Sequence, residues 1–441
     1  MKKRYIFIIL FLFSVLMCTK EDNTIKTEIT KWQYGKEACI SLTYDDGTIT
    51  QFRVALPMMD ERGFPATFFI NTGGIPGSKY KPKFVGRPLE EIVKETEKVP
   101  TNKDNCYERA SAISFLGYRN VERYQSRAAS YFQRGRFEEA FKNIDEFYTL
   151  VINGELEPIK RTTESRGQRK YKPLTWDEIR EIAANGHEFA VHTVSHAYLS
   201  AMDEANILYE IEKCREDIEI QLGKKHTFSI ECPYGINDDR VLEYVFPKFP
   251  LSRNRLTDEF VFEIHRGSST KPESPDKEYI QWQRGPHTDT PMETMKEWVD
   301  TSIMNNVWLV LVFHGINDMG WEAKTEKEVE EYFDYIKSYE DKIWVATFQD
   351  AGKYMRERMN GNISSKRVNN TIKVELTHSL DPDLYNLPLT LKTYVPSDWN
   401  FVQINQGTNI HKVKVNKNEM DSYVLYEVLP NFEIITINES D

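Results

Sequence analysis

Cys39-Ile40-Ser41-Leu42-Thr43-Tyr44-Asp45-Asp46-Gly47 reads as a strand that runs without a break into two acids and a glycine. Its first six residues suit a strand covered on both faces, and Asp-Asp-Gly is turn chemistry. Three later stretches repeat the arrangement. Glu188-Phe189-Ala190-Val191 stops at His192-Thr193-Val194-Ser195-His196. Thr227-Phe228-Ser229-Ile230 stops at Glu231-Cys232-Pro233-Tyr234-Gly235, and the apolar run 307–313 stops at His314-Gly315. Further apolar runs occur at 66–70 and 343–347, and helical patterns lie between them at 176–185, 205–222, 292–305 and 327–339. Gly186 and Gly223 stand where helix C-caps belong. Strands apolar on both faces that alternate with helices predict an α/β fold with a parallel sheet, and the strand number suits a barrel. In such a barrel the C-terminal strand ends converge on one face, so the four polar endings are expected to meet there.

Taken singly, each ending has an ordinary structural explanation: a solvated turn, a surface histidine pair, a hydrogen-bonded core histidine. Together they supply a set of groups that one reaction needs. A catalytic divalent cation takes three nitrogen or oxygen ligands and keeps a position open for water. One carboxylate and two imidazoles meet that requirement. A second carboxylate can accept the water's proton, and a further imidazole can protonate the leaving atom. These are the parts of an acyl hydrolysis.

The motifs also carry a resemblance. Thr43-Tyr44-Asp45-Asp46-Gly47 is similar to the T-F-D-D-G motif of the polysaccharide deacetylase family (carbohydrate esterase family four). His192-Thr193-Val194-Ser195-His196 resembles its H-[ST]-x-x-H motif, and Val310-Leu311-Val312-Phe313-His314 its closing strand. The resemblance implies a distorted (β/α) barrel and a divalent metal, Zn²⁺ with Co²⁺ or Ni²⁺ as alternatives, held by Asp46, His192 and His196. It further implies Asp45 as general base, His314 as general acid, and Pro233-Tyr234 at the oxyanion and substrate side. One position departs: where the family pattern has an arginine paired with the base, this chain has Glu231. Arg253, at the end of the next strand segment, is expected to supply the missing charge. Arg284 and His287 are further candidates for groups facing the cleft.

The remaining sequence frames this unit. Residues 1–18 read as a signal peptide of lipoprotein type, because Lys2-Lys3-Arg4 precedes an apolar run that ends at Cys18. Export follows as an expectation, to the outer membrane or cell surface through a lipid on Cys18, otherwise to the periplasm or medium. Residues 19–30 read as a linker and 31–358 as the catalytic domain, with a helical insertion at 75–172. Period-two alternation punctuated by prolines over 362–441 predicts a β-sandwich, reached through a Gly361–Ser365 linker. A formal net charge of −11 argues against a nucleic-acid partner. Cys39, Cys106, Cys214 and Cys232 lack metal-type spacing and read as buried thiols. The expected activity is removal of acetyl groups from a carbohydrate, by N-deacetylation. An O-acetyl polysaccharide esterase and a non-catalytic glycan-binding lipoprotein are the alternatives.

Overall fold

The computed structural model describes residues 25–159, 171–235, 238–253, 263–264, 280–431 and 433–440. The signal segment and Cys18 lie outside them. The α/β unit is built on β2 (Ala38–Tyr44), β3 (Ala66–Ile70), β4 (Glu188–Val191), β5 (Ser229–Glu231), β6 (Leu251–Arg253), β8 (Ile280–Arg284) and β9 (Trp308–Phe313), which follow the short β1 (Thr27–Ile29). These seven pair in the order β6-β5-β4-β3-β2-β9-β8, all parallel. The result is the curled sheet of a distorted barrel. β7 (Glu263–Ile264) adds an antiparallel edge to β8. β10 (Ile343–Val345) pairs with the first half of β2, beside the place where β3 takes the second half.

Strand alternation sorts the side chains. Ala38, Ile40, Leu42 and Tyr44 face one way, into a core shared with α1 (Leu56–Arg62), α6 (Trp176–Ala184), α7 (Glu204–Leu222), α9 (Met292–Asn305) and α10 (Glu326–Lys337). Cys39, Phe69, Ala190, Trp308 and Val310 face the opposite way, toward α11 (Phe348–Asn360). The start of α11 closes the bottom of the barrel. Phe348 and Gln349 donate backbone N–H groups to Thr67 Oγ1 and Glu188 Oε2, at 2.8 and 2.9 Å. Because successive residues on one strand face differ by two, Cys39-Ser41-Thr43-Asp45 climb one inner line. Glu188-Ala190-His192, Ser229-Glu231, Leu251-Arg253 and Val310-Val312-His314 climb the others. The reactive groups end these lines on the same rim.

The segment after β3 carries α2 (Leu89–Thr96), α3 (Cys106–Ile113), α4 (Val121–Gln133) and α5 (Phe137–Ile152). They have their own core, which includes Ala128, Phe132, Phe141, Ile144 and Phe147 and reaches Ala201 beside the barrel rim. α4 and α5 turn at Gly135, whose φ of 68° only glycine adopts without strain.

Beyond α11, eight strands form two antiparallel sheets: β11 (Asn362–Val368), β12 (Thr371–Thr377), β13 (Leu389–Tyr394), β14 (Phe401–Gln406), β15 (Asn409–Lys414), β16 (Asn416–Lys417), β17 (Ser422–Val428) and β18 (Ile435–Ser440). One sheet runs β11-β12-β18-β14-β15 and the other β1-β13-β17-β16. Two sequence expectations change here. Residues 27–29, read as linker, are an edge strand of the second sheet, with Ile29 opposite Leu391. The Gly361–Ser365 linker is also absent: β11 begins at Asn362, one residue after α11, with Ile363 opposite Leu376. Polar composition hid both strands, because an edge strand of a half-solvated sheet needs few apolar residues. The four cysteines at 39, 106, 214 and 232 are buried and unpaired.

Candidate active site

The ends of β2 and β9 are clipped together first. The Gln51 side-chain amide donates to the carbonyls of both Asp45 and His314, at 2.5 and 2.7 Å. Asp45 and His314 therefore stand side by side, with His314 Nε2 3.4 Å from Asp45 Oδ2. Asp46 follows in the left-handed region, φ 73°, which turns its carboxylate toward β4. There Asp46 Oδ1 lies 3.4 Å from His192 Nε2 and 3.0 Å from His196 Nε2. One ligand atom from each of the three falls within 4.8 Å of the others.

This trio fits a divalent cation on grounds internal to the structure. Asp46 Oδ1 and His192 Nε2 are buried without a hydrogen bond, an arrangement that costs free energy unless something else occupies them. His192 Nδ1 lies 2.9 Å from the Glu231 carbonyl. It donates there, which leaves the Nε2 lone pair for an ion. Asp46 is held well below the usual carboxylate range: burial pushes it up, and the two histidine rings that face it outweigh that. A carboxylate ionised under all ordinary conditions is a ready ligand.

The loop that carries His196 is under strain and held from outside. Thr193 and His196 both take positive φ, 70° and 60°. Thr193 Oγ1 accepts the His196 N–H at 3.0 Å. Glu210, buried on α7, accepts from Ser195 N–H at 2.8 Å and Ser195 Oγ at 2.7 Å. Left-handed backbone at non-glycine residues persists only where surroundings enforce it.

Arg253 stands beneath Asp45. Its Nη2 reaches Asp45 Oδ2 at 2.5 Å, its Nη1 reaches Thr43 Oγ1 at 2.6 Å, and its Nε lies 3.4 Å from Glu231 Oε2. Burial pushes the Asp45 carboxyl up, but Arg253, then His314 and His192, bring it below its ordinary value. The structure thus brings a guanidinium to Asp45 from β6, while Glu231, where the resemblance expects an arginine, faces that guanidinium and offers its carbonyl to His192.

Aromatic walls flank the trio. Tyr234, also at positive φ (65°), stacks on Tyr198 with ring centres 3.8 Å apart and meets His196 edge-on at 4.5 Å. Its neighbour Pro233 is buried at the start of the turn. Opposite, Trp321 meets His314 edge-on at 4.7 Å. Asp45, Asp46, His192, His196, Glu231, Tyr234, His314 and Trp321 enclose a pocket of about 310 Å³. Arg284 and His287 are not in it. They line a cavity of about 660 Å³ on the far side of Trp321, which shares His314 and Trp321 with the pocket. A third cavity, about 500 Å³, opens on the Asp46–His196 side. The insertion abuts the Tyr198 flank, where Gln133 Nε2 reaches Ser200 Oγ at 3.2 Å. None of its described helices lines the 310 Å³ pocket.

Sequence reasoning missed Glu210 and Trp321. Glu210 had a signal: Asn206, Glu210 and Asp217 fall on one face of α7 and are all buried, a spacing that marks polar groups bound to neighbouring loops. Trp321 had none, since it lies on a loop.

The strand ends of this barrel gather an Asp-His-His trio with ligand-competent geometry, a flanking acid and a flanking imidazole. The polysaccharide deacetylase family model matches residues 33–99 and 110–246, which lie in and around the first strands of the α/β unit. A gellan lyase of a Bacillus species is 22% identical over 316 residues, 66% of this chain, though the match spans 13% of that longer protein. Similar solved structures include the peptidoglycan deacetylase PdaC from Bacillus subtilis, 12% identical, over 73% of this chain and 93% of that one, TM-score 0.31. A family 4 carbohydrate esterase from Streptomyces lividans is 11% identical over 70% and 91%, TM-score 0.30.

Proposed function

We propose that this protein is a divalent-metal-dependent hydrolase that removes acetyl groups from an N-acetylated carbohydrate. The observation that carries the reading is the meeting of Asp46 Oδ1, His192 Nε2 and His196 Nε2 within 4.8 Å, directly beside Asp45 and His314. A cation held there, Zn²⁺ being the expected ion, supplies Lewis-acid chemistry: it acidifies a water and polarises the acetyl carbonyl.

The chain's own groups do the rest. Asp45 Oδ2 is engaged by Arg253 while its buried Oδ1 accepts no hydrogen bond, so Oδ1 takes the proton of the attacking water. The tetrahedral oxygen develops beside the turn of Pro233 and Tyr234, where the Tyr234 N–H is offered to it. His314 Nε2 passes a proton to the departing nitrogen. Tyr234 and Trp321, 43% and 50% exposed, give the sugar ring apolar faces on either side. Export with a lipid at Cys18 remains part of the proposal, supported by the apolar run of residues 5–17.

The test is acetate release from acetylated oligosaccharides by purified protein, before and after a chelator and after returning Zn²⁺. Release that disappears with chelator and returns with zinc supports the reading. Release confined to O-acetylated substrates makes the protein an esterase. Glycan binding without any release overturns the enzyme assignment.

A further inference from the structure

We propose that Glu231 and Arg253 act as one positioning unit for Asp45, in which Glu231 fixes the guanidinium of Arg253 and the guanidinium decides which Asp45 oxygen stays available to react. The inference rests on the hydrolase reading and adds two residues to it, both acting through Asp45.

The argument begins with strand register. Glu231 and Arg253 are direct partners across β5 and β6, so opposite charges face each other at the strand ends that floor the pocket. Both are buried, at 2% exposure each. A buried cation is tolerable only when its charge is balanced and its donors are used. Arg253 hydrogen-bonds Asp45 through Nη2 and Thr43 through Nη1, and its charge is balanced by Glu231, whose Oε2 stands 3.4 Å from Nε as an ion pair. Its planar fork then leaves little freedom to rotate, and it also lies over the Phe69 ring at 4.9 Å.

The consequence falls on Asp45. Oδ2 receives Arg253 at 2.5 Å and also faces His314 at 3.4 Å, whereas Oδ1 is buried with no hydrogen-bond partner. Without the guanidinium the carboxylate could turn about its last bond and offer either oxygen to His314. The Glu231 backbone ties the same unit to the other half of the site, since its carbonyl receives His192 Nδ1 at 2.9 Å. Charge also balances. Asp45, Asp46 and Glu231 carry three negative charges, Arg253 one positive, and a divalent cation in the trio brings the sum to zero.

The experiment compares Arg253→Ala, Arg253→Lys and the exchange Glu231→Arg/Arg253→Glu in full-length, zinc-loaded protein. A misplaced reacting group costs on the order of 100-fold in rate. Arg253→Ala is therefore expected to lower kcat about 100-fold, with KM and zinc affinity within twofold of wild type. In its crystal structure the Asp45 carboxylate is rotated. The exchange variant keeps the pair's charge and returns a guanidinium beside Asp45 from β5, so it is expected to recover at least tenfold over Arg253→Ala. Unchanged kcat, an unmoved Asp45 carboxylate, or a parallel loss of zinc binding overturns the proposal. If Arg253→Ala does not fold, Arg253→Lys decides: a point charge cannot bridge all three partners, so a folded lysine variant with wild-type kcat and an unmoved Asp45 overturns it as well. Should wild-type protein release no acetate, the hydrolase reading falls, and the Asp45 orientation in the variants still judges the positioning unit.

Discussion

Replacing Glu210 with alanine should loosen the proposed metal site without touching Asp46, His192 or His196. The carboxylate accepts two hydrogen bonds from Ser195, at 2.8 and 2.7 Å, and these close the turn in which Thr193 and His196 are left-handed. Each left-handed residue costs roughly 1–2 kcal/mol, so the turn stores about 2–4 kcal/mol that its surroundings must hold. Charge-assisted hydrogen bonds contribute roughly 1.5–3 kcal/mol each, less what burial of the carboxylate costs; that burial pushes the Glu210 pKa upward. The two sums are comparable, and removing the carboxylate lets the turn relax. His196 then leaves its place 3.0 Å from Asp46, whereas His192 stays, anchored through Nδ1 to Glu231. Outer groups of this kind are worth about 10–100-fold in metal affinity. Zinc Kd in Glu210→Ala, measured by competition with a chelator, should weaken by that factor. Glu210→Gln keeps one acceptor oxygen and should fall near the lower end. A folded Glu210→Ala protein that binds zinc within twofold of wild type would refute the argument.

Two further outcomes are expected. Glu188, inside the barrel, has its pKa raised from the ordinary 4.5 to about 7, because burial outweighs its hydrogen bonds from Ser229, Gln349 and Thr67. Below pH 4.5 it is protonated whether folded or not; between 4.5 and 7 the unfolded chain loses the proton first, so stability falls by roughly 3 kcal/mol as pH rises. Urea unfolding at pH 5 and pH 8 should show that decline in wild type and a smaller one in Glu188→Gln; equal declines would remove Glu188 as the cause. Trp321→Ala should raise KM for an acetylated oligosaccharide about fivefold, from roughly 1 kcal/mol of lost aromatic contact, with kcat nearly unchanged; an unaltered KM would show that the wall does not meet the sugar.

The sequence carried most of the barrel because its strands are buried on both faces and write that burial as unbroken apolar runs. It carried the reactive groups because four such runs end in them. Arg253 was legible only as a charge one strand from the vacancy at Glu231, since β6 is three residues long. Glu210 was less visible still: a glutamate in a helix is ordinarily solvated, and only its register with Asn206 and Asp217 betrays burial. Trp321 depends on the fold of residues 315–324, where Lys324, 2% exposed, donates to the carbonyls of Thr288 and Thr290. Such loop-to-loop ties follow from tertiary packing and leave no periodic trace. The edge strands at 27–29 and 362–368 were misread for the same reason in reverse, as polar sequence whose backbone bonds are made by distant partners.

The pairing of β1 with β13 makes the sandwich a host and the barrel its guest, inserted between the host's first and second strands. Mechanical load follows that connectivity. Tension applied through the residues ahead of Thr27 would be borne by the short ladder of Thr27, Glu28 and Ile29 on Thr393, Lys392 and Leu391, backed by the Thr30 N–H on the Thr390 carbonyl. A tether pulled at that end would strain the host before any force reached the barrel rim.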